Sequence, residues 1–363
     1  MRYYIISGEQ SGDMHASNLV AELKKKDHHA EVRAWGGDKL KEQGATVVKH
    51  IKELAFMGFL EVIVNLPEIL SNISFCKNDI LDFQPDALIL VDYPGFNFRI
   101  AKFAKQNGIK VFYYISPQIW AWKKSRINQI KKDIDKMFVI LPFEKEYYKK
   151  NHFEVDFVGH PLLDEIAKDD FSFSIKTDKE IIALLPGSRK QEIQQILPKM
   201  LKVVNDFPNY QFIVATINSI EEEFYKNIIG NKKVLLAKNE TYGLLRNGKA
   251  ALVTSGTATL ETALFKLPQV VCYKTNFLSY QIAKRLVKTK FISLVNITMD
   301  KLVVKELIQS DLNAKNISTS LSNILENTNR EKIQKDYNAL KMKLGVEGAS
   351  KKVAEIILHS ITK

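Results

Sequence analysis

Cysteine and long apolar runs are what this sequence has least of. Among 363 residues only Cys76 and Cys272 carry a thiol. They stand far apart, with neither a Cys-x-x-Cys pair nor a Cys/His cluster beside them, which excludes a disulfide-stapled fold and a structural zinc site and fits a reducing cytoplasm. Nowhere do about eighteen apolar residues run together, so no segment is expected to span a bilayer. The opening stretch from Met1 to Gly8 is too short an apolar run for a signal peptide; it reads as a buried strand ending in a turn, expected to stay in the mature protein. Low-complexity tracts and short repeats are also missing, and 16 glycines and 10 prolines are modest for this length, which excludes a disordered or fibrous chain.

Positive charge is present in excess: 53 Lys and Arg against 41 Asp and Glu, a formal net charge of +12. That balance favours anionic partners, either nucleic acid or an anionic lipid surface, through an attraction that salt weakens. The basic residues are scattered through helices beside acids and do not form a contiguous groove, so no nucleic-acid site is expected.

The length accommodates two domains, each with its own core. Short β-branched and aromatic runs alternate with longer amphipathic stretches, the pattern of parallel sheets covered by helices on both faces. The expected strands of the first half are Tyr3 to Ser7, Glu31 to Trp35, Ala87 to Val91, Val111 to Ile115, Met137 to Leu141 and Phe157 to Val158. A charged, weakly periodic segment from Asp164 to Lys179 reads as a linker, after which strands resume at Ile181 to Leu185, Phe212 to Ala215, Val234 to Ala237, Ala251 to Thr254 and Val270 to Cys272. Beyond Val295 the sequence reads as helical to its end, with Gly345 and Gly348 separating the last two helices. The expected fold class is α/β: two Rossmann-like, doubly wound parallel-sheet domains, 1–165 and 166–345, facing a cleft, with 346–363 joined back to the first. In such sheets ligands bind beyond the carboxyl ends of the strands.

Several strand ends carry residues suited to chemistry. Leu184 to Arg189 leaves a strand and opens a helix; its backbone amides with Ser188 and the Arg189 guanidinium suit a pyrophosphate, although a capped turn with a solvated arginine reads equally well. Thr254 to Glu261 repeats the arrangement, with Ser255, Gly256 and Thr257 as donors and Glu261 as an acceptor for a ribose diol, or with Thr257 and Glu261 as plain capping residues. Ser7 to Asp13 lacks the Gly-x-Gly-x-x-Gly fingerprint; Gly8 and Gly12 permit close backbone approach to a ligand, and Asp13 reads as the cap of its own helix. Asp92, at a strand end before Pro94-Gly95, is placed to take a proton from a hydroxyl, or is a structural turn aspartate. Asn97 is either a helix cap or a ligand contact.

Ser116 to Trp122 sets two tryptophans beyond a strand end beside Lys123, Lys124 and Arg126, as a sugar or lipid site or as a hydrophobic plug. His160 reads as structural. Asp133 and Asp135 precede a strand within a lysine-rich helix, so no metal site is read there. Phe56 to Leu70 is the most apolar segment, either a core helix under the first sheet or a surface for the membrane interface.

Taken together, Gly8-Glu9-Gln10-Ser11-Gly12-Asp13, Gly58-Phe59-Leu60-Glu61-Val62, Asp92-Tyr93-Pro94-Gly95-Phe96-Asn97, Ser116-Pro117-Gln118-Ile119-Trp120-Ala121-Trp122, Leu185-Pro186-Gly187-Ser188-Arg189 and Thr254 to Glu261 resemble the ordered motif set of the lipid-A-disaccharide synthase family. The resemblance covers most of the chain. It implies a GT-B type, inverting glycosyltransferase that joins UDP-2,3-diacylglucosamine to 2,3-diacylglucosamine 1-phosphate (lipid X) through a β-1,6 linkage, releasing UDP, in lipid A and lipopolysaccharide biosynthesis. It further implies Asp92 as general base and Arg189 as the pyrophosphate contact. A donor site of Gly12, Ser188, Ser255, Gly256, Thr257, Glu261 and Asn296, and acceptor contacts from Glu9, Asn97 and Trp120, belong to the same implication. Gln10 and Thr298-Met299-Asp300-Lys301 depart from the family's usual residues.

No cofactor or metal is expected, UDP-sugar being a substrate. Phe59, Ile63, Leu66 and Leu70 are the expected contacts with an anionic membrane, for a cytoplasmic protein held peripherally at the inner membrane of a Gram-negative bacterium, as a monomer or a homodimer. Rival readings are another UDP-sugar enzyme of the same fold, an epimerase or a peptidoglycan glycosyltransferase, or a basic non-catalytic binding protein.

Overall fold

The computed structural model describes residues 1–54, 66–122, 124–276, 280–281, 285 and 289–362. The chain divides into two compact units, Met1–Glu165 with Leu344–Lys363, and Ile166–Lys343.

The first unit is built on β1 (Arg2–Ser7), β2 (Glu31–Gly36), β3 (Thr46–His50), β4 (Ala87–Val91), β5 (Lys110–Tyr114), β6 (Lys136–Val139) and β7 (Asp156–Phe157), in the spatial order β3-β2-β1-β4-β5-β6-β7. All pairings are parallel, with Ile5 opposite Ala34 on one side and Ile89 on the other. Strands covered on both faces need continuous apolar runs, and Tyr3 to Ile6 and Ala87 to Val91 are fully buried. The second unit repeats the plan with β8 (Glu180–Leu185), β9 (Tyr210–Thr216), β10 (Val234–Lys238), β11 (Gly248–Thr254), β12 (Gln269–Tyr273) and β13 (Lys305–Ile308), ordered β10-β9-β8-β11-β12-β13 and parallel throughout. Both are Rossmann-like. Strand order reverses between β1 and β4 and between β8 and β11, so the loops leaving those pairs diverge and leave room for a ligand.

Two strands escape the sequence pattern. β3 is not among the expected strands, and β13 lies where only helix is expected. Both are edge strands: Thr46 is exposed and Val47 to His50 half-buried in the first, and Lys305 is exposed in the second. An edge strand pairs on one side only and tolerates charge, so its apolar signal is weak.

The stretch read as a linker begins inside a helix, Leu162–Ala167. Its Asp164 accepts from the amides of Gly348 (2.5 Å) and Ser350 (3.3 Å), anchoring the start of the last helix, Ala349–Ile361, on the first unit. Lys26 and Glu355 add an ion pair at 3.1 Å.

The helix Leu66–Phe83 turns Ile73, Cys76, Asp79 and Ile80 inward. Asp79 accepts from the Tyr4 hydroxyl (2.6 Å) and Arg33 Nε (2.9 Å), while Trp35 Nε1 donates to Tyr4 Oη (2.9 Å). This buried network sets the helix's rotation, and Leu70 (55%), Phe75 (47%) and Leu81 (46%) are left exposed. Phe59 and Ile63, expected at a membrane, lie outside the described residues, and of Leu66 only the backbone is described. No helix among the described residues is long and apolar enough to cross a membrane.

Candidate functional site

In the first unit the β4 turn is bent hard. Asp92 (φ +47°) and Tyr93 (φ +49°) are both left-handed, as is Ile115 (φ +65°) beyond β5. Non-glycine residues rarely adopt this conformation, at a cost on the order of 1 kcal/mol or more each, and hold it only where surroundings over-determine them. Here the Asp92 amide donates to Tyr114 O (3.1 Å). The Asp92 carbonyl accepts from Asn97 Nδ2 (2.7 Å) and the Tyr113 hydroxyl (2.6 Å). The Tyr93 ring covers Gly8, where an added Cβ would stand 2.3 Å from ring carbons. Gly8 therefore makes room for Tyr93, not for a ligand.

Two further expectations change here. A Cβ on Gly12 would lie 3.3 Å from Ser7 Cβ, so this buried glycine serves close packing of the helix Gln10–Lys26 on β1 and offers no ligand face. Asp13 does not cap its own helix: its carboxylate accepts from the amides of Gly37 (2.6 Å), Lys39 (3.1 Å) and Leu40 (3.3 Å), capping the helix Asp38–Glu42 instead. Asn97 is fully buried and acts as the clamp on the Asp92 carbonyl.

Burial, and then the neighbouring Glu9 carboxyl, push the Asp92 carboxyl up from its ordinary acidic range to about 7. A base whose affinity for protons lies near the working pH is best matched to accept one from a hydroxyl. Glu9 and Asp92 thus share one neighbourhood beyond β1 and β4, the pair at which strand order reverses.

Beyond β5, the half-buried Trp120 donates from Nε1 to Glu144 Oε1 (3.3 Å) and stands edge-on to Phe143 at 4.8 Å. Ser116 Oγ donates to the same carboxyl oxygen (2.7 Å). Glu144 escaped the sequence reading; the acid two residues after Pro142, at a strand-to-helix turn, was its signal. His160 is buried, its Nδ1 accepting from the Leu162 amide (3.2 Å), and burial followed by nearby His15 pushes it down to about 3. Asp135 is taken up by Lys105 and the Val111 amide.

In the second unit the turns after β8 and β11 lie at the other reversal point. Gly187 has φ +118°, and its missing side chain leaves space for Glu192, whose Oε2 would stand 2.6 Å from a Cβ there. Glu192 accepts from the Ser188 amide (3.3 Å) and from Arg189 (3.4 Å). Ser188 and Arg189 are exposed at the head of the helix Lys190–Met200. Gly256 (φ +149°) has open space where a side chain would be, and with Thr257 it is exposed. Ser255 Oγ donates to Ile292 O (2.9 Å), and Glu261 accepts from the Tyr242 hydroxyl (2.8 Å).

Asn296 stands behind this turn and is fully buried. Its Nδ2 donates to Val304 O (2.8 Å) and Glu306 Oε1 (2.8 Å), while its Oδ1 accepts from the amides of Val303 (2.8 Å) and Val304 (3.0 Å). Two donors and two acceptor sites exhaust the amide, so Asn296 braces the turn and does not face a ligand. Glu306, also missed in the sequence, accepts from the amides of Ile292 and Ser293 and so links Asn296 to the carbonyl that holds Ser255.

The family model described as lipid-A-disaccharide synthetase matches residues 3–360. A lipid-A-disaccharide synthase of Syntrophus aciditrophicus is 40% identical, the alignment covering 99% of this chain and 97% of that protein. Among solved structures, a UDP-GlcNAc 2-epimerase of Neisseria meningitidis bound to UDP-GlcNAc superposes with a TM-score of 0.69 at 16% identity, covering 99% and 100% of the two chains. A calicheamicin glycosyltransferase gives 0.65 at 14% identity, covering all of both. At such identities these two likenesses are of fold, the GT-B architecture of two Rossmann-like domains.

Proposed function

The chain belongs to the lipid-A-disaccharide synthetase family, and from that premise we propose that it transfers 2,3-diacylglucosamine from UDP to the 6-hydroxyl of 2,3-diacylglucosamine 1-phosphate, forming a β-1,6 disaccharide. The observation that carries the mechanism is the Asp92 carboxyl, held on a strained turn and raised to about 7. As carboxylate it takes the proton of the acceptor hydroxyl while that oxygen bonds to the anomeric carbon. The bond from that carbon to the β-phosphate oxygen breaks with its electron pair leaving on UDP, and single displacement inverts the centre. Arg189 and the amides of the Ser188 and Ser255–Thr257 turns stabilise the departing charge, and Glu261 holds the ribose diol. Gly12, Asn97 and Asn296 act one step back, as packing, clamp and brace. Glu9 and Trp120 flank the acceptor sugar, and the route uses no metal.

The substrates carry acyl chains, and the exposed Leu70, with Phe75 and Leu81 on the same helix, supports a peripheral contact with an anionic bilayer, to which the net charge of +12 would draw the protein. The deciding experiment incubates the protein with both diacylated substrates and measures disaccharide and UDP in equal amounts. Epimerised UDP-sugar with no disaccharide would replace this reading by the epimerase one.

A further inference from the structure

Glu144 is a buried carboxyl that the route above does not use. It is 1% exposed at the start of the helix Pro142–Lys150, beyond β6. Three donors converge on it: Ser116 Oγ (2.7 Å) and Trp120 Nε1 (3.3 Å) on Oε1, and the Leu141 amide (3.0 Å) on Oε2. Two of the three come from the loop beyond β5, Ser116 at its start and Trp120 in the short helix Ile119–Trp122. Capping its own helix uses only the Leu141 amide, while the bonds from Ser116 and Trp120 offset the cost of burying the acid and tie it to the loop. Trp120 keeps part of its surface open while its one polar atom is fixed from below, as a recognition platform requires.

We propose that Glu144 is a positioning residue for the acceptor: it fixes the orientation of the Trp120 indole and the start of the 116–122 loop, and through them the affinity for the acceptor sugar. This rests on the reading of Trp120 as an acceptor contact. Among the described residues, Tyr148, one turn further along the same helix, is a titratable neighbour of it.

Burial pushes Glu144 up to about 7, against the pull of the hydrogen bonds it accepts. The indole N–H therefore meets a neutral acid below that pH and a carboxylate above it, giving an optical readout that a merely space-filling side chain lacks. In the full-length protein, tryptophan emission is followed from pH 5.5 to 8.5, and KM for each substrate is measured in wild type, Glu144→Gln and Trp120→Phe. An emission step centred near 7, lost in both variants, is expected, together with an acceptor KM raised roughly tenfold in Glu144→Gln, about one charged hydrogen bond's worth. The donor KM and UDP affinity should stay unchanged. Emission steps that survive in Glu144→Gln, or donor and acceptor KM shifting equally, would overturn the proposal. If wild type makes no disaccharide, the reading of the function fails while the emission series still decides whether Glu144 holds the indole. If the step is present but the acceptor KM is unmoved, the assignment of Glu144 to acceptor affinity is overturned.

Discussion

The two reversal points of the two sheets are built by opposite means. At the first, side chains do the work: left-handed Asp92 and Tyr93 are held by Asn97, Tyr113 and the ring seated over Gly8, and the carboxyl is raised by burial and by Glu9. At the second, the backbone does it: Gly187 and Gly256 take positive φ, the space around Gly256 is open, and Arg189 and Ser188 face solvent. The contrast suits the two tasks proposed for them. A base must be kept from ionising too readily, which demands partial removal from water. A leaving diphosphate brings its own charge, and amides at a helix head with a guanidinium receive it without any shift in affinity for protons.

The sharpest break of the comparison is Asp92→Asn. It should lower turnover by roughly a hundred- to ten-thousandfold while UDP affinity, measured by calorimetry, stays near wild type. Turnover close to wild type would remove Asp92 from the chemistry. In the unsubstituted enzyme kcat/KM should fall as pH drops through about 7, because the working form is the carboxylate. The same shift has a stability consequence of opposite sense. A carboxyl raised in the folded state contributes stability fully below the ordinary aspartate range, and that contribution is lost as pH rises through about 7. At pH 8 the Asn variant should therefore melt no lower than wild type, and a melting point several degrees lower would mean that the carboxylate is structural.

Arg189→Ala tests the other side. Losing a charge-assisted contact of about 1.5–3 kcal/mol weakens UDP binding by roughly ten- to a hundredfold and lowers turnover as well. The pH at which kcat/KM falls should not move, since burial and Glu9 are what raise the Asp92 carboxyl. UDP affinity equal to wild type would place the phosphates elsewhere.

Most of the fold was legible because both sheets are buried on both faces, and strands such as Ala87 to Val91 and Ile181 to Leu185 advertise themselves as continuous apolar runs. The edge strands β3 and β13 were not, since half their surface is polar. In the candidate sites, residues adjacent in sequence to a turn, Asp92 and Arg189 among them, can be picked out as candidates. Their supports cannot. Asp13 caps a helix 24 residues away through the Gly37 amide, and Glu306 reaches back across 14 residues to Ile292. Those pairings exist only once parallel strands set distant segments side by side. Asn296 stands out as a residue but not in its role, because a sequence shows that an amide is present but not that all its bonds are spent within the fold.

That role has its own test. Asn296→Ala leaves the Val303 and Val304 amides and part of Glu306 without partners in a buried setting, which costs about 1–3 kcal/mol. Chemical denaturation should show this loss. UDP affinity of the folded fraction should fall by less than in Arg189→Ala, and an affinity loss equal to it with no change in stability would restore Asn296 as a direct contact.

The smallest expected effect on stability belongs to the exposed face of one helix of the first unit. On the helix Leu66–Phe83, Leu70 and Leu81 are about half exposed, and eleven residues at 100° each bring them to within about 20° of one another around the axis. Ile73 and Ile80 lie on the buried side, at 6% and 0% exposure. The double variant Leu70→Ser with Leu81→Ser should change stability by less than about 1 kcal/mol, because exposed side chains give up little packing. Ile80→Ala should cost about 2–5 kcal/mol. Flotation with vesicles containing anionic lipid then separates the two faces: the exposed pair should lose vesicle binding while UDP affinity is retained, and added salt should weaken what binding the wild type shows. Vesicle binding that persists in the double variant at unchanged stability would assign membrane contact to another part of the chain.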